Sequence, residues 1–591
     1  MSNLDIYGTY KFVDRKVILR IRDRICETPE ELLSSVLFRE VITRFVRSLK
    51  RRDSPLLALF AKGDCDEITD QDIDDLVATF HLLARIPGAW VEKLGETSPR
   101  YVRNPLLLYD FVEGLYDYWR EFERFIVCDS EGDRLDRQPY RTFNRTIESL
   151  THLVRSVYRD VQENISNRHP TIYRQVAAGA EVAAIALPKP VLYPAGYCNR
   201  LDGIAVIRQV LMYPPLLLNP PMNKRSGQFQ RTNINPLERL DIDPAEWLCY
   251  PAKVGPLLIL VYFHEKFFEL GFSLCNLFEL AEDEFLAHKA DAIYLFGVPE
   301  SCLQGAPSST VFYEDPHNGL LVAAVPARDE FGYFGYLKKM TLTLHNIAMM
   351  KCERMPVHGA MVRFNLKAGR AATILILGDT ATGKSETLEA FRALGEEQIR
   401  HMDVIADDMG SLEIREDGSL VGYGTEVGAF VRLDDLHPGY AFGHLDRTII
   451  MNPAQVNSRV VLPVTTYETI IQGWPVDFVL YANNYQEVDA DHPIIERLAT
   501  PQEALEVFRE GISMSKGTTT ESGLVRTYFT NIFGPVQFPE LHEKIAVRYF
   551  HHFYSQGIFV GQLRTRLGLP GWERRGPQEA AQALMEMLQS S

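Results

Sequence analysis

One stretch of the chain has the residue types and spacing of a loop that wraps around a phosphate group. It follows an apolar run at 373–377 and precedes a helix-forming run at 386–394. Glycines let backbone N–H groups turn toward an anion, a lysine can neutralise the β and γ oxygens of a nucleotide, and a hydroxyl can bind Mg²⁺. A glycine-containing surface turn is the alternative interpretation. The predicted nucleotide-binding residues are Gly378, Asp379, Thr380, Ala381, Thr382, Gly383, Lys384, Ser385 and Glu386.

A second, acidic element follows this loop and is predicted to supply the metal side of the same site. The apolar run at 403–406 ends in two adjacent carboxylates, Asp407 and Asp408. Carboxylate oxygens are the hard ligands that Mg²⁺ prefers. The alternative is a solvated strand end, because aspartates are common in turns. The following residues, 411–424, are predicted to form a hairpin that turns at 416–418.

Further segments on both sides of the loop occur in an order that resembles a known enzyme family. They are residues 331–339 (FGYFGYLKK), 357–359 (VHG), 424–429 (GTEVGA) and 456–463 (VNSRVVLP). Together with the loop they resemble the phosphoenolpyruvate carboxykinases and, more distantly, the HPr kinases. Both groups insert an antiparallel strand before the phosphate loop, and the two runs that precede the loop here, 357–364 and 372–377, are predicted to pair in that way. The resemblance covers about residues 330–563.

The resemblance implies roles for single residues. It implies that Tyr333 contacts bicarbonate or CO₂, and that Lys339, His358 and Asp408 together bind Mn²⁺. A histidine nitrogen and a carboxylate suit Mn²⁺, whereas a lysine can bind a metal only when its amine is deprotonated, so its pKa must be lowered. It also implies that Arg459 binds the transferred phosphoryl group or the enolate. Without the resemblance, His358 would be interpreted as a core histidine and Arg459 as a strand arginine in an ion pair.

Two further parts of the site are implied in the same way. Residues 511–523 resemble the mobile lid that closes over the nucleotide and excludes water, with a plain flexible loop as the alternative. Arg225 is the nearest match to the arginine that holds the substrate carboxylate in carboxykinases, with a charged surface loop as the alternative.

These residues predict a reaction and leave two alternatives open. The leading hypothesis is ATP-dependent conversion of oxaloacetate to phosphoenolpyruvate, CO₂ and ADP, in which Lys384 and an Mg²⁺ on Ser385 align ATP. The chain has Ala381 where the family usually has a glycine, and Glu386 follows the hydroxyl as it does in HPr kinases. The second hypothesis is therefore a kinase of a small-molecule or protein hydroxyl, with Asp407 as general base. The third is a nucleotide-sensing regulator without catalysis.

The elements that must position these residues predict an α/β fold in three parts. Residues 1–185 are predicted to be a helical N-terminal region, residues 186–328 an α/β lobe that begins where prolines cluster, and residues 329–591 a carboxykinase-like P-loop domain with a mixed β-sheet. The clearest helical pattern is a stripe of apolar residues at steps of three and four. Its members are Phe143, Ile147, Leu150, Val154, Val157, Val161 and Ile165.

Composition limits the classes of partner. The chain carries 62 Lys and Arg against 78 Asp and Glu, a net charge of −16, which repels nucleic acid and anionic lipid. Its eight cysteines are scattered and never form CxxC, which predicts a reduced, cytoplasmic protein. The most apolar stretch, 254–278, is interrupted by charged residues, so no membrane span is predicted. We therefore expect no nucleic-acid or membrane partner. The resemblance implies a small-molecule substrate of the oxaloacetate and phosphoenolpyruvate class, while the oligomeric state stays open.

Overall fold

The structure is a computed structural model of the chain. It describes residues 3–5, 8–22, 25–61, 68–94, 99–129, 139–167, 179–188, 191–194, 197–225, 229–367, 369–379, 382–394, 399–433, 447–516 and 522–590. The chain divides into two compact units, an N-terminal unit of residues 1–187 with 207–213 and a C-terminal unit of residues 188–206 with 214–591. No helix in the described ranges combines the length and apolar character that crossing a membrane requires.

The N-terminal unit combines a sheet with a group of helices. Its strands lie in sequence order: β1 (Asn3–Asp5), β2 (Gly8–Val13), β3 (Lys16–Ile21), β4 (Glu123–Cys128) and β5 (Val182–Pro188). The first three pair antiparallel, and β3, β4 and β5 pair parallel. The helices are α1 (Pro29–Leu33), α2 (Val36–Arg51), α3 (Asp70–Leu83), α4 (Gly88–Leu94), α5 (Pro99–Val102), α6 (Pro105–Arg120) and α7 (Pro139–Ser166).

This sheet corrects the prediction that residues 1–185 are helical. The predicted stripe does form one face of α7, and all of its members except Val154 are buried. By contrast, β3, β4 and β5 are short apolar runs, whose periodicity does not distinguish a strand from a buried helix. The segment that begins at Pro105 is rich in aromatic residues and is helical only in its first part. It begins as α6, where the Asn104 side chain accepts a hydrogen bond from the N–H of Leu107, and continues after Arg120 as β4.

The first sheet of the C-terminal unit is largely buried. Its strands run in the order β9 (Trp247–Val254), β10 (Leu257–His264), β12 (Ala292–Val298), β14 (Leu320–Pro326), β13 (Val311–Asp315) and β8 (Gln230–Thr232), and β11 (Glu279–Leu280) pairs with β9. The strands β10 and β12 are continuous apolar runs and are buried over almost their whole length. The strand β6 (Ala205–Met212) has residues in both units.

The second sheet contains the predicted phosphate loop. Its order is β23 (Trp474–Pro475), β19 (Leu420–Gly424), β18 (Met409–Ile414), β15 (Met355–Leu366), β16 (Ala371–Leu377), β24 (Phe478–Asn483), β28 (Phe559–Arg564) and β25 (Ile495–Arg497), with β17 (Ile399–Ala406) also paired to β15. The predicted antiparallel pairing of β15 with β16 is confirmed, and β16, β24 and β28 are parallel. The predicted hairpin at 411–424 is confirmed as β18 and β19.

Smaller elements complete the C-terminal unit. A four-stranded sheet has the order β20 (Gly428–Arg432), β22 (Arg459–Pro463), β21 (Ile449–Met451) and β7 (Leu216–Leu218), and β26 (Ile512–Lys516) pairs with β27 (Ser522–Arg526). The helices are α8 (Cys198–Leu201), α9 (Phe268–Ser273), α10 (Asp283–Leu286), α11 (Phe334–Lys351), α12 (Lys384–Leu394), α13 (Tyr467–Ile471), α14 (Pro501–Glu510), α15 (Pro539–Ser555) and α16 (Arg575–Ser590). Helices α12 and α16 pack on the second sheet around one apolar core.

Candidate active site

The loop predicted to bind phosphate connects a buried strand to a helix. β16 ends directly before the loop, and α12 begins with the loop lysine. Gly383 has a φ of 94°, and a Cβ at this position would lie 2.7 Å from the side chain of Thr565, so both conformation and space require glycine. The Thr565 hydroxyl also donates to the carbonyl of Thr382 at 2.6 Å. Thr380 and Ala381 lie outside the described residues.

The loop lysine is folded back onto the loop itself. Lys384 Nζ donates to the carbonyl oxygens of Gly378 and Asp379, each at 2.7 Å, and the side chain is buried. The Asp379 carboxylate accepts a hydrogen bond of 3.0 Å from Thr527, just after β27. Ser385 is exposed at the start of α12, where a hydroxyl is accessible to an incoming ligand.

Four carboxylates act on this lysine. Burial lowers the pKa of Lys384, and the charges of Asp408, Asp379, Glu386 and Asp407 oppose that shift. Both carboxylates of the predicted acidic element and the glutamate after the loop hydroxyl therefore lie near the Lys384 amine. An anion that binds Lys384 would have to replace the carbonyl oxygens of Gly378 and Asp379 as hydrogen-bond acceptors.

A buried cluster of charged side chains centres on Asp408. Its Oδ2 atom lies 2.6 Å from Lys339 Nζ and 2.6 Å from Lys338 Nζ, and its Oδ1 atom lies 3.0 Å from His358 Nε2. Lys338 Nζ also lies 2.9 Å from Glu426 Oε1. The structure thus brings together the three residues predicted to bind Mn²⁺.

Three elements of the fold position this cluster. Lys338 and Lys339 project from the first turns of α11, His358 lies on β15, and Asp408 is in the short connection between β17 and β18. The N–H of Gly359 donates to the carbonyl of Asp408 at 2.9 Å, so the backbone ties that connection to β15 next to the histidine.

The two lysines differ in their proton affinity although they share one carboxylate. Burial disfavours both ammonium groups, but Asp408 and Glu426 outweigh it for Lys338 and raise its pKa. For Lys339, burial prevails over Asp408, and Lys338 adds repulsion, so its pKa is lowered. Burial opposes ionisation of Asp408, yet the two lysines hold its pKa well below the usual range, whereas burial raises the pKa of Glu426.

The donor set fits a metal ion at His358 and Asp408. His358 Nδ1 faces the carbonyl of Thr530, which only accepts, so Nδ1 carries a proton. Burial lowers the pKa of His358, which favours the neutral ring and directs the lone pair of Nε2 at Asp408 Oδ1. With a neutral ring, His358 Nε2 and Asp408 Oδ1 are both acceptors and lie 3.0 Å apart. This arrangement requires a cation or a proton between the two atoms. Lys339 would supply a third ligand, a nitrogen, because burial lowers its pKa.

The metal assignment depends on the lysine. Among the residues that the structure describes, no group of three or more His, Cys, Asp or Glu side chains is placed to hold a metal ion. The predicted set contains only two residues of these types, His358 and Asp408. If a metal ion binds here, the third protein ligand of this set would be the amine of Lys339.

Aromatic rings and arginines lie beside the cluster. The rings of Tyr333 and Phe430 are 5.9 Å apart, and the Arg459 guanidinium lies 5.6 Å from the Phe430 centroid. Burial raises the pKa of Tyr333, while the charges of Arg459 and Arg225 oppose this, so both arginines are near the phenol. Arg459 Nε is buried and has no hydrogen-bond partner within the described part of the chain. Such a donor is available to an anionic ligand.

Three residues of the site were not predicted. Lys338 and Glu426 form the buried pair described above, and both lie in segments that carry the resemblance. Phe533 lies centrally, with its ring centroid 4.6 Å from Lys339 Nζ, 5.1 Å from the Arg225 guanidinium and 6.1 Å from the His358 ring. Lys338 directly precedes Lys339 in the sequence, and this adjacency could have indicated that Lys338 belongs to the site. No local sequence pattern indicates Phe533.

The segment predicted to be a lid is a β-hairpin at its base. β26 and β27 pair antiparallel, and residues 517–521 between them lie outside the described residues. The Asn484 side chain, directly after β24, accepts a hydrogen bond from the N–H of Met514 at 2.8 Å and donates one to its carbonyl at 2.9 Å. The base of the hairpin is therefore anchored next to the phosphate loop.

Comparison with known proteins adds no identification to this geometry. No protein-family model and no curated protein matches the chain.

Proposed function

We propose that the chain is an ATP-dependent phosphoryl-transfer enzyme of the phosphoenolpyruvate carboxykinase type. The reaction would convert oxaloacetate and ATP to phosphoenolpyruvate, CO₂ and ADP. The observation that carries the proposal is the Asp408 carboxylate, which lies within 3.0 Å of both the Lys339 amine and the His358 imidazole. This carboxylate also acts electrostatically on Lys384 in the phosphate loop.

The phosphate loop would hold the triphosphate of ATP. Lys384 now bonds two loop carbonyls, and a β or γ phosphate would replace them with stronger, charge-assisted contacts. The exposed hydroxyl of Ser385 is available to the Mg²⁺ that accompanies ATP. Backbone N–H groups at the start of α12 would face the same anion.

The buried cluster would hold the second cation next to the substrate. Lys339, His358 and Asp408 would bind Mn²⁺, which when bound supplies a Lewis acid for the carbonyl and enolate oxygens of the substrate. Lys338 would keep Asp408 ionised and oriented, because it bridges that carboxylate to Glu426.

The arginines and Tyr333 would bind the organic substrate. Arg459 has a buried Nε donor that can bond an oxygen of the phosphoryl group in transit. Arg225 would pair with a substrate carboxylate, since a guanidinium matches a carboxylate with two parallel hydrogen bonds. Tyr333, which is buried near these arginines and Phe430, would contact the departing CO₂.

A product assay tests the proposal. Purified protein is incubated with Mn²⁺ and Mg²⁺ and either ATP plus oxaloacetate, or ADP plus phosphoenolpyruvate and bicarbonate, and the carbon products are followed. We expect phosphoenolpyruvate from the first mixture and oxaloacetate from the second. ATP consumption only with another hydroxyl acceptor would contradict the carboxykinase reaction and favour a kinase that uses Asp407 as base. Tight nucleotide binding without turnover of any acceptor would favour a sensor.

A further inference from the structure

The backbone of Phe533 is held from both sides by buried asparagine side chains. Its N–H donates to Asn531 Oδ1 at 3.0 Å, and its carbonyl accepts a hydrogen bond of 2.7 Å from Asn346 Nδ2. The next residue, Gly534, packs so closely on α11 that a Cβ there would lie 2.7 Å from the Cβ of Asn346. Buried and satisfied polar contacts of this kind fix one arrangement of the chain. The buried ring of Phe533 therefore has a defined position.

Helix α11 connects this anchor to the candidate cation site. Asn346 follows Lys339 by seven residues, about two helical turns, so the two side chains lie on the same face of α11. One helix face thus holds the backbone of Phe533 and places Lys339 Nζ 4.6 Å from the centroid of its ring. The ring of His358 lies 6.1 Å from the same centroid. The position of the Phe533 ring is therefore fixed relative to the residues proposed to bind the cation.

Arg225 depends on side-chain packing for its position, because it lies in neither a helix nor a strand. Its guanidinium lies over the Phe533 ring, 5.1 Å from the centroid, and 6.0 Å from the centroid of Phe229. A cation over the face of an aromatic ring is attracted by the ring quadrupole, and the attraction is stronger where water is excluded. A guanidinium that rests on a ring by its face keeps its N–H edges free for a planar anion.

We propose that Phe533 is a positioning residue that fixes the Arg225 guanidinium beside the cation site, an inference that rests on the proposed function. The face of the ring holds the guanidinium, whose N–H edges meet a carboxylate of oxaloacetate. The same ring adjoins Lys339, so the substrate carboxylate and the cation are brought to one place. Loss of the electron-rich ring face should weaken oxaloacetate binding and leave the phosphate loop, and with it ATP binding, unchanged.

Replacing the ring by a fluorinated ring of nearly the same shape tests this role. Fluorine withdraws electrons from the ring face, so Phe533→pentafluorophenylalanine removes the attraction for a cation and keeps the ring. Steady-state kinetics of the full-length protein with Mn²⁺ and Mg²⁺ are measured while oxaloacetate and ATP are varied separately. We expect the KM for oxaloacetate to rise about tenfold, the effect of about 1.4 kcal/mol. The kcat and the KM for ATP should stay within about twofold of wild type. Phe533→Leu should change the same constant in the same direction.

Phe529 provides the matched control in the same segment. Its ring is also buried, and it contacts the rings of Tyr528, His542 and Phe550. Phe529→pentafluorophenylalanine should change neither KM, and circular dichroism verifies that each variant is folded.

Three results would overturn the inference alone, given turnover by the wild type. They are an unchanged KM for oxaloacetate in the Phe533 variants, an equal rise in the Phe529 control, and a parallel rise in the KM for ATP, which would assign Phe533 a purely structural role. Wild-type protein that does not turn over oxaloacetate would overturn the proposed function and this inference with it. The two failures are therefore distinguishable.

Discussion

Replacing Lys338 by methionine is expected to destabilise the C-terminal unit more than the same change at Lys339. Both substitutions keep an apolar stem of similar length and remove one positive charge. Lys338 lies between two carboxylates, at 2.6 Å from Asp408 and 2.9 Å from Glu426. Lys339 is paired with one carboxylate, Asp408. Asp408 keeps its contacts with Lys338 and His358 when Lys339 is removed.

The expected loss of unfolding free energy depends on which charged groups remain without a partner in each variant. Without Lys338, the buried Glu426 loses its cation, and an uncompensated buried charge costs about 3–5 kcal/mol. Without Lys339, Asp408 still has two partners, so we expect a loss of about 1.5–3 kcal/mol, as for a hydrogen bond to a charged group. Neutralising the stranded carboxylate in the double variant Lys338→Met with Glu426→Gln should restore about 2 kcal/mol of the loss.

Hydrogen exchange read by mass spectrometry measures these differences locally. Peptides that cover β15 and β18 report the opening free energy around the cluster, separately from the N-terminal unit. We expect protection to decrease from the wild type to Lys339→Met and further to Lys338→Met. The double variant should be more protected than Lys338→Met. Equal protection of the two single variants, or a double variant less protected than Lys338→Met, would refute the charge pairing described here.

Other substitutions test the phosphate loop and a buried histidine. Lys384→Ala should weaken binding of a fluorescent ATP analogue at least about tenfold, since a hydrogen bond to a charged group contributes about 1.5–3 kcal/mol, while Lys367→Ala on an exposed turn should leave binding unchanged. Gly383→Ala should abolish the same binding because its Cβ would lie 2.7 Å from Thr565, whereas Gly369→Ala, with no atom within 4 Å of its Cβ, should retain it. Burial holds the pKa of His542 at about 4 in the folded chain, below its ordinary 6.5, so the stability from the neutral ring is present above pH 6.5 and is lost as pH falls toward 4. Urea unfolding should show about 2 kcal/mol of this loss at pH 5 relative to pH 7, and His542→Phe should remove it; an unchanged pH dependence would contradict the argument.

Local patterns predicted the elements around the phosphate loop well. The run at 373–377, the glycines and the lysine predict strand, loop and helix from residues adjacent in sequence, and the structure has β16 and α12 there. The stripe in α7 is another case, because seven residues repeat one helical period. The sheet of the N-terminal unit was missed because β3 and β4 are about a hundred residues apart and their pairing depends on tertiary contacts.

Contacts within the candidate site that depend on tertiary packing could not be predicted from the sequence either. Motif order brought Lys339, His358 and Asp408 into one hypothesis, and the structure brings them within hydrogen-bond distance. The pairing of Lys338 with Glu426 joins residues on α11 and after β19, and no spacing rule relates those positions. The ring of Phe533 lies close to Lys339 Nζ. This contact depends on tertiary packing and cannot be read from the sequence.

The proposed cation site lies between Lys339, His358 and Asp408, beside the phosphate loop. Electron paramagnetic resonance of Mn²⁺, titrated into the protein without nucleotide, measures binding at this site. We expect a saturable site in the wild type that is lost in Lys339→Met and His358→Phe and kept in Lys351→Met, a change at the far end of the same helix. Wild-type protein that leaves Mn²⁺ free, or a site that survives both cluster substitutions, would contradict the proposed site.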